Sequence, residues 1–255
     1  MKRQLLAWEH NFLARRGFDF SRLDEHGEMP VEYIVGKAEF LGLELELSQE
    51  VLIPRVETEE LVGLVAKWLR ESCLSVLEVG TGSGAVSVWL AKNFPAGKFF
   101  ASDISKAALE LARRNSAAQQ VTNLQFFQSD LLTNLPADFY PDVIVANLPY
   151  IPSSRLPSLP TSVRDFEPHL ALFGGADGFA IIDRLLTQIV NRATDSVTQK
   201  ISSHQLPRAI FLEIDDSHTL DFFQRPNKNY SQPFSWQILP DTAGKNRFVI
   251  GLKIS

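Results

Sequence analysis

Short apolar runs alternate with longer amphipathic segments through most of the chain. The runs predict strands, and the segments with apolar residues three or four positions apart predict helices. Strands are predicted at 75–79, 98–102, 123–128, 142–147, 208–214, 235–239 and 247–253. Helices are predicted at 84–93, 105–119, 178–193 and 216–224. Strands that alternate with helices indicate an α/β fold with a doubly wound, mostly parallel, seven-stranded sheet.

The last two predicted strands are joined by residues 241–246, a connection with no room for a crossover helix. A parallel return needs roughly a dozen residues or more, so these two strands must be antiparallel. The sheet is therefore expected to close with an antiparallel hairpin.

The first part of the chain has a different pattern. Residues 2–16 are predicted to form an amphipathic helix that ends at Gly17. Residues 38–47 alternate apolar and acidic side chains towards their end, which predicts strand structure with a turn at Gly42. The pattern thus predicts three regions: a short helical region at 1–29, a β-hairpin linker at 30–55 and the α/β domain at 56–255.

Three glycines, Gly80, Gly82 and Gly84, follow the first strand of the sheet, and a helix begins directly after them. Glycine has no Cβ, so the backbone there can turn tightly and approach a ligand closely. A strand, a glycine-rich loop and a helix are the opening unit of a nucleotide-binding α/β sheet. We therefore predict a cofactor site that includes the loop residues Thr81 and Ser83. The alternative is a turn that only packs the helix against the strand.

Glu78 stands two residues before the first glycine, at the carboxyl end of its strand. The loop fits both the dinucleotide fingerprint and the Gly-x-Gly-x-Gly loop of S-adenosylmethionine enzymes. A carboxylate would repel a pyrophosphate but attract a ligand that carries an ammonium and a sulfonium group. Glu78 and the closing hairpin therefore favour S-adenosylmethionine over NAD as the cofactor. The alternative for Glu78 is a solvated carboxylate at the end of a strand.

Two acids end the next two strands. Asp103 lies about twenty residues after the glycine loop, where a carboxylate accepts hydrogen bonds from ribose hydroxyls. Asp130 can accept a hydrogen bond from an adenine amino group, with Leu131 packing on the ring. The alternative for each acid is a helix cap, although Ser105 already offers a cap to the helix after Asp103.

The fourth strand ends in Asn147-Leu148-Pro149-Tyr150, at the edge where open α/β sheets bind their ligands. The Asn147 side chain offers a carbonyl, and Pro149 biases Leu148 towards an extended backbone that aims its own carbonyl inward. Two acceptors that converge on one planar amino group would hold it, and Tyr150 would supply a flat face against it. Such a site suits methylation of an amide or an exocyclic amine. The alternative is a Pro-Tyr turn that only closes the strand.

Composition limits the binding partners and the cellular compartment that the protein can have. The 255 residues carry a net charge of −5 and no Lys/Arg-rich block, which disfavours nonspecific nucleic-acid binding. The single cysteine, Cys73, allows no internal disulfide and indicates a reducing, cytoplasmic compartment. No apolar run is long enough to span a bilayer, so no membrane partner is expected. The five histidines show no metal-ligand spacing with Cys73, so no metal is expected.

The motifs together resemble those of the protein-(glutamine-N5) methyltransferases that modify peptide chain release factors. The resemblance covers nearly the whole chain from Pro30 onward. Its most specific stretches are Ile-Pro-Arg-x-Glu-Thr-Glu at 53–59 and Glu-Pro-x-x-Ala-Leu at 167–172. Further matches lie at 30–36, 78–84, 103–105, 147–151 and 165–178.

The resemblance implies a class I S-adenosylmethionine-dependent methyltransferase fold for residues 56–255. It implies S-adenosylmethionine as donor and, as substrate, the glutamine of a Gly-Gly-Gln loop in a release factor. By residue, it implies that the glycine loop and Glu78 hold the methionine moiety, and that Asp103, Asp130 and Leu131 hold the ribose and adenine. Asn147 and the Leu148 carbonyl would hold the glutamine amide. Asn147, Pro149 and Tyr150 would form the catalytic motif, with Asn147 also contacting the donor.

The chain departs from the family pattern at several points. Residues 148 and 56 are Leu and Val where proline is usual, and the segment from Glu213 to His218 lacks the usual glycine. Few residues precede Pro30, where the family has a helical domain that helps to grip the release factor, so we expect the 30–55 segment to contribute to that grip. Two alternatives stay open: an enzyme that methylates adenine in RNA or DNA, and a protein that binds the donor without catalysis.

Overall fold

The computed structural model of the protein describes residues 3–69 and 74–254, so residue 2 of the first predicted helix and Cys73 lie outside the described part. Its strands are β1 (Lys37–Phe40), β2 (Leu43–Glu46), β3 (Ser75–Val79), β4 (Lys98–Asp103), β5 (Leu124–Gln128), β6 (Val143–Ala146), β7 (Ala209–Glu213), β8 (Phe234–Pro240) and β9 (Asn246–Lys253). Its α-helices are α1 (Ala7–Ala14), α2 (Val31–Val35), α3 (Val56–Leu69), α4 (Ala85–Asn93), α5 (Lys106–Ala118), α6 (Thr161–Arg164), α7 (Ala180–Arg192) and α8 (Leu220–Phe223). None of these helices is long and apolar enough to cross a membrane.

One sheet of seven strands has the order β5-β4-β3-β6-β7-β9-β8. The strands from β5 to β7 pair in parallel, whereas β9 runs antiparallel to both β7 and β8. Every residue of the central strands β6 and β7 is buried, as expected for a parallel sheet that is covered on both faces. The predicted mostly parallel sheet and its closing antiparallel hairpin are confirmed.

Helices cover both faces of the sheet because neighbouring residues on each strand point to opposite sides. On one face Leu77 and Ile144 belong to the same buried cluster as Leu185 of α7. On the other face Val76 belongs to the buried cluster that contains Val65 of α3. The sheet is therefore doubly wound, and its carboxyl edge is left free for a site.

The strands β1 and β2 form a separate hairpin with a two-residue turn at Leu41 and Gly42. Both residues have positive φ, 45° and 78°, the combination of a type I′ turn that joins two twisted strands tightly. The hairpin is fixed to the sheet's helices, because Trp89 of α4 donates to the Leu41 carbonyl and Asn115 of α5 exchanges two hydrogen bonds with Glu46. The turn predicted at Gly42 is confirmed.

Two predicted helices are shorter than expected. In the segment 216–224 only Leu220–Phe223 is helical. The Asp215 carboxylate accepts the Ser217 N–H at 3.0 Å, which folds the preceding residues into a turn that competes with helix. The first helix begins at Ala7, after the Glu9 carboxylate has accepted the Leu6 N–H at 2.7 Å in the manner of a capping box.

Candidate functional site

The carboxyl ends of β3, β4, β5 and β6 open into a cavity of about 710 Å³. This is the edge at which open α/β sheets place their ligands. The wall brings together most of the residues predicted for the site: Glu78, Gly80, Thr81, Gly82, Ser83, Asp103, Asp130, Leu131, Asn147, Leu148 and Pro149. Gly84 and Tyr150 stand outside this wall.

The glycine loop needs its glycines for two different reasons. At Gly80 φ is +77°, and a Cβ would lie 2.9 Å from the Leu148 side chain, so the loop and the strand-end motif approach each other closely there. At Gly84 a Cβ would lie 3.0 Å from that of Ala112, so this glycine lets α4 pack against α5. Gly80 thus shapes the cavity wall, whereas Gly84 positions the helix behind it.

Glu78 is buried, and its Oε2 atom accepts two hydrogen bonds, from the Thr81 hydroxyl at 2.5 Å and the Ser87 N–H at 3.0 Å. Burial raises the pKa of Glu78 to about 7, against the lowering effect of these hydrogen bonds. Among the described residues no hydrogen bond reaches the Oε1 atom. Glu78 therefore turns one carboxylate oxygen to the protein and keeps the other available at the cavity wall.

Asp103 joins the glycine loop to the start of α5. Its Oδ2 atom accepts the Gly82 N–H and its Oδ1 atom accepts the Ser105 N–H, both at 2.9 Å. Ser105 itself caps α5 by accepting the Ala108 N–H, as predicted. Burial raises the pKa of Asp103. Each carboxylate oxygen has a second lone pair, so Asp103 can still accept hydrogen bonds from a ligand in the cavity.

Asp130 was predicted to present its carboxylate to a ligand, but the structure also gives it a partner. Arg184, from α7, donates to Asp130 Oδ2 at 2.6 Å, and both residues line the cavity. The adjacent Leu131 is buried and has a φ of +53°, a conformation that costs free energy for a residue other than glycine. The segment after β5 thus forms a fixed apolar wall beside an ion pair.

Asn147 belongs to a hydrogen-bonded chain of buried groups. Its Nδ2 atom donates to the Thr58 hydroxyl at 2.9 Å, and that hydroxyl donates to Glu213 Oε2 at 2.8 Å. Glu213 is 1% exposed, and burial raises its pKa against the lowering effect of the hydrogen bonds it accepts. The hydrogen-bonded chain joins α3, β6 and β7 at one point, and Thr58 and Asn147 both line the cavity there.

Tyr150 ends the same chain from the other side. Its hydroxyl donates to Glu213 Oε1 at 2.8 Å, and its ring packs on the main core with the Arg247 guanidinium 6.0 Å from the ring centre. Burial and the adjacent Glu213 carboxylate raise the pKa of Tyr150 well above its ordinary value. The structure thus gives Tyr150 a supporting position, and the predicted packing against a substrate amide stays a prediction.

Sequence reasoning missed Thr58, Glu213 and Arg184. Glu213 had a usable signal, because it is an acid at the carboxyl end of a strand, as Glu78 and Asp103 are. Thr58 and Arg184 lie within helices and have no such signal, since only the packing of distant segments brings them to the site.

The backbone of the Asn147–Tyr150 motif is held from behind by residues 172–178. Ile151 donates to the Leu172 carbonyl at 2.9 Å, and Gly174 donates to the Ile151 carbonyl at 3.0 Å. A Cβ on Gly174 would lie 2.5 Å from the Pro149 carbonyl, and one on Gly178 would collide with the Tyr150 carbonyl. These two glycines allow one backbone to lie directly against the other.

An ion pair joins two sides of the cavity rim. Arg55 donates to Glu167 at 2.5 Å, and Glu167 is 4% exposed. The residues that precede Arg55 and follow Glu167, at 51–54 and 168–171, both contribute to the cavity wall. From the sequence, Arg55 could either attract an acidic substrate or pair with Glu57 or Glu59. In the structure it pairs with Glu167.

Comparison with known proteins agrees with this geometry. A family model described as a methyltransferase domain matches residues 76–165. A methyltransferase from Pyrococcus furiosus superposes with a TM-score of 0.56 at 18% identity, over 95% of this chain and 99% of that one. A likeness at this identity shows the fold alone, and the fold is that of a class I methyltransferase.

Curated relatives extend the match to most of the chain. The release factor glutamine methyltransferase of Koribacter versatilis is 38% identical over 229 residues, which cover 89% of this chain and 76% of the relative. Its namesake from Lactococcus lactis is 44% identical over 171 residues, 67% of this chain and 62% of the relative. The Streptococcus pneumoniae protein of the same name is 45% identical over 169 residues, which cover 66% of this chain and 59% of the relative. The chain thus spans about three fifths of the length of the last two relatives, and on the match to the first it belongs to the release factor glutamine methyltransferase family.

Proposed function

We propose that the protein transfers a methyl group from S-adenosylmethionine to the side-chain amide nitrogen of the glutamine in the Gly-Gly-Gln loop of a peptide chain release factor. The observation that carries the proposal is the position of Asn147 in the wall of the same cavity as the glycine loop. A donor bound at the loop and an amide bound at Asn147 would then be neighbours, and proximity supplies much of the acceleration of such a transfer.

The cavity wall fits S-adenosylmethionine. Glu78 offers an oxygen to the ammonium group, Asp103 has lone pairs for the ribose hydroxyls, and Leu131 gives the adenine an apolar wall. Asp130 would accept a hydrogen bond from the adenine amino group while Arg184 holds the Oδ2 atom of its carboxylate. When bound, the donor supplies a methyl group on a positively charged sulfur.

At the substrate end the protein has to activate a weak nucleophile. The nitrogen of an amide is unreactive because its lone pair is delocalised into the carbonyl. The Asn147 side-chain carbonyl and the Leu148 backbone carbonyl accept the two amide hydrogens and orient the nitrogen towards the methyl group. The bond from nitrogen to the methyl group forms as the bond from that group to sulfur breaks, the neutral thioether leaves, and one amide proton passes to solvent. Positive charge develops on the nitrogen during the transfer and strengthens these hydrogen bonds, so they stabilise the transition state more than the ground state.

The leucine at position 148 is compatible with this role. The acceptor is a backbone carbonyl, which every residue has, so the proline that is usual in the family is not required for it. The Leu148 side chain is buried and packs beside Gly80, so it also joins the substrate motif to the glycine loop. Pro149 and the residues behind it fix the direction of the backbone.

The proposal is tested by methyl transfer from labelled S-adenosylmethionine to purified release factors, with RNA and DNA assayed in parallel. We expect label on a release factor, and mass spectrometry should place it on the glutamine of the Gly-Gly-Gln loop. A release factor with alanine in place of that glutamine is the matched control and should stay unlabelled. Label on RNA or DNA with none on the release factors would refute the proposal in favour of an adenine methyltransferase.

A further inference from the structure

We propose that Thr58 is a positioning residue for the methyl transfer, because its hydroxyl fixes the side-chain amide of Asn147 with the oxygen turned to the substrate. The inference rests on the proposed function and adds a residue that lies outside the strand-end motif. Thr58 lies in the first turn of α3, 89 residues before Asn147, and it is 5% exposed.

The hydroxyl of Thr58 has one proton, and its contact with the Glu213 carboxylate assigns that proton to Glu213. Glu213 Oε2 accepts it at 2.8 Å, while Glu213 Oε1 accepts the Tyr150 hydroxyl at the same distance. The two oxygens of one buried carboxylate are thus both used as acceptors by hydroxyl groups. The Thr58 oxygen, having given its proton to Glu213, can act towards Asn147 only as an acceptor.

This leaves one orientation for the amide of Asn147. With Nδ2 facing Thr58, a hydrogen bond of 2.9 Å forms. With the amide turned over, the Asn147 carbonyl would face the Thr58 oxygen with no proton between them, and a buried acceptor would be left unsatisfied, which costs free energy. Thr58 therefore keeps the amide oxygen on the side away from itself.

The orientation decides whether the site can hold an amide nitrogen. An oxygen accepts a hydrogen from the substrate NH₂ group, whereas an NH₂ group of Asn147 in its place would set donor against donor. A protein with the amide turned over would still bind the methyl donor but would not hold the nucleophile. Thr58 lines the same cavity as Asn147, and in this proposal it acts on the chemical step through Asn147.

The test compares three variants in the methylation assay. Thr58→Val keeps the shape and removes the hydroxyl, and we expect kcat to fall about tenfold or more, short of the loss from removing the aimed group itself. Affinity for S-adenosylmethionine, measured by calorimetry, should stay near that of the unchanged protein. Thr58→Ser should restore kcat. Thr242→Val is the matched control and should leave kcat unchanged. The Thr242 hydroxyl donates at 2.7 Å to Glu60, which lies on α3 as Thr58 does but is only half-buried.

A double-mutant cycle separates positioning from a general structural effect. If Thr58 acts through Asn147, then adding Thr58→Val to Asn147→Ala should cause no further loss of kcat. Two losses that multiply in the double variant would show that Thr58 acts independently of Asn147 and would overturn the proposal.

A second readout needs no substrate. In NMR spectra the side-chain NH₂ signals of Asn147, identified by their loss in Asn147→Ala, should move towards solvent-like positions in Thr58→Val and stay in place in Thr58→Ser. Unchanged signals in Thr58→Val would overturn the positioning role. If they move but the unchanged protein labels no release factor, the proposed function fails while the role of Thr58 stands.

Discussion

Replacing Glu78 with glutamine should raise the free energy of unfolding and lower the affinity for S-adenosylmethionine. Glu78 is 5% exposed, and burial raises the pKa of its carboxyl from 4.5 to about 7. Since the pKa of Glu78 is higher in the folded than in the unfolded protein, protonation of its carboxyl favours the folded state. This stabilisation is fully present below pH 4.5 and is lost as the pH rises through 7. At pH 8 the folded protein holds an ionised group at a cost of about 3 kcal/mol.

Glu78→Gln removes that cost and keeps an oxygen that can accept from Thr81 and Ser87. The free energy of unfolding of the variant should match that of the unchanged protein at pH 4.5, and should exceed it by up to about 3 kcal/mol at pH 8. Urea unfolding at a series of pH values measures the difference. Glu110→Gln, at a carboxylate with a side chain 55% exposed, is the control and should change stability by no more than about 0.5 kcal/mol.

The same substitution should weaken S-adenosylmethionine. A hydrogen bond to a charged group contributes about 1.5–3 kcal/mol, so calorimetry at pH 8 should show a roughly ten- to hundredfold loss of affinity. In the unchanged protein the affinity should fall as the pH drops below 7, because Glu78 then becomes neutral, and in the variant this dependence should disappear. A variant that is no more stable at pH 8 would refute the cost of the buried Glu78 charge. A variant that binds the donor as tightly as before would refute its role in binding.

The remaining predictions concern other parts of the site. Asn147→Ala should lower turnover on a release factor by about 10²–10³ while calorimetry still shows donor binding, and near-normal turnover would exclude the amide-holding role. Gly178→Ala should lower thermal stability and turnover together, since its Cβ would collide with the Tyr150 carbonyl. Gly63→Ala, on an open face of α3, should stabilise the protein by up to about 1 kcal/mol. Arg184→Ala should raise the KM for S-adenosylmethionine with little change in kcat, because Arg184 holds the Asp130 carboxylate that we propose binds the adenine; a change in kcat alone would contradict this.

The sheet could be predicted because its strands are apolar runs of ordinary length and because residues 241–246 leave no room for a crossover. Predicted ends differ from the observed ones by a residue or two, as is usual at frayed termini. Two helices are exceptions: the first begins at Ala7 although the pattern predicts it from residue 2, and only part of the segment 216–224 is helical. The cause at 216–224 is local. There the Asp215 side chain bonds to its local backbone, a competition that hydrophobic periodicity does not reveal.

The sequence predicts which residues meet at the cavity, but it does not predict the hydrogen bonds that connect them. Glu78, Asp103 and Asn147 were found because the carboxyl ends of parallel strands meet at one edge. The hydrogen bond between Thr58 and Glu213 joins residues 155 positions apart, and no local pattern encodes such a contact. The direction of the Tyr150 side chain was beyond prediction for the same reason, since it depends on a buried carboxylate that β7 supplies.

The strand order has a consequence for how the chain folds during synthesis. β9 lies between β7 and β8, although it follows both in the chain. During synthesis β8 therefore leaves the ribosome before its neighbour exists, and the edge of β7 stays open to other chains until β9 is made. β7 ends at Glu213, which pairs with Phe248 of β9 and carries the carboxylate between Thr58 and Tyr150. A nascent chain without β9 would thus be prone to aggregation and would lack a properly placed Glu213 carboxylate. Insertion of β9 would cover the open edge and fix Glu213 in the same step.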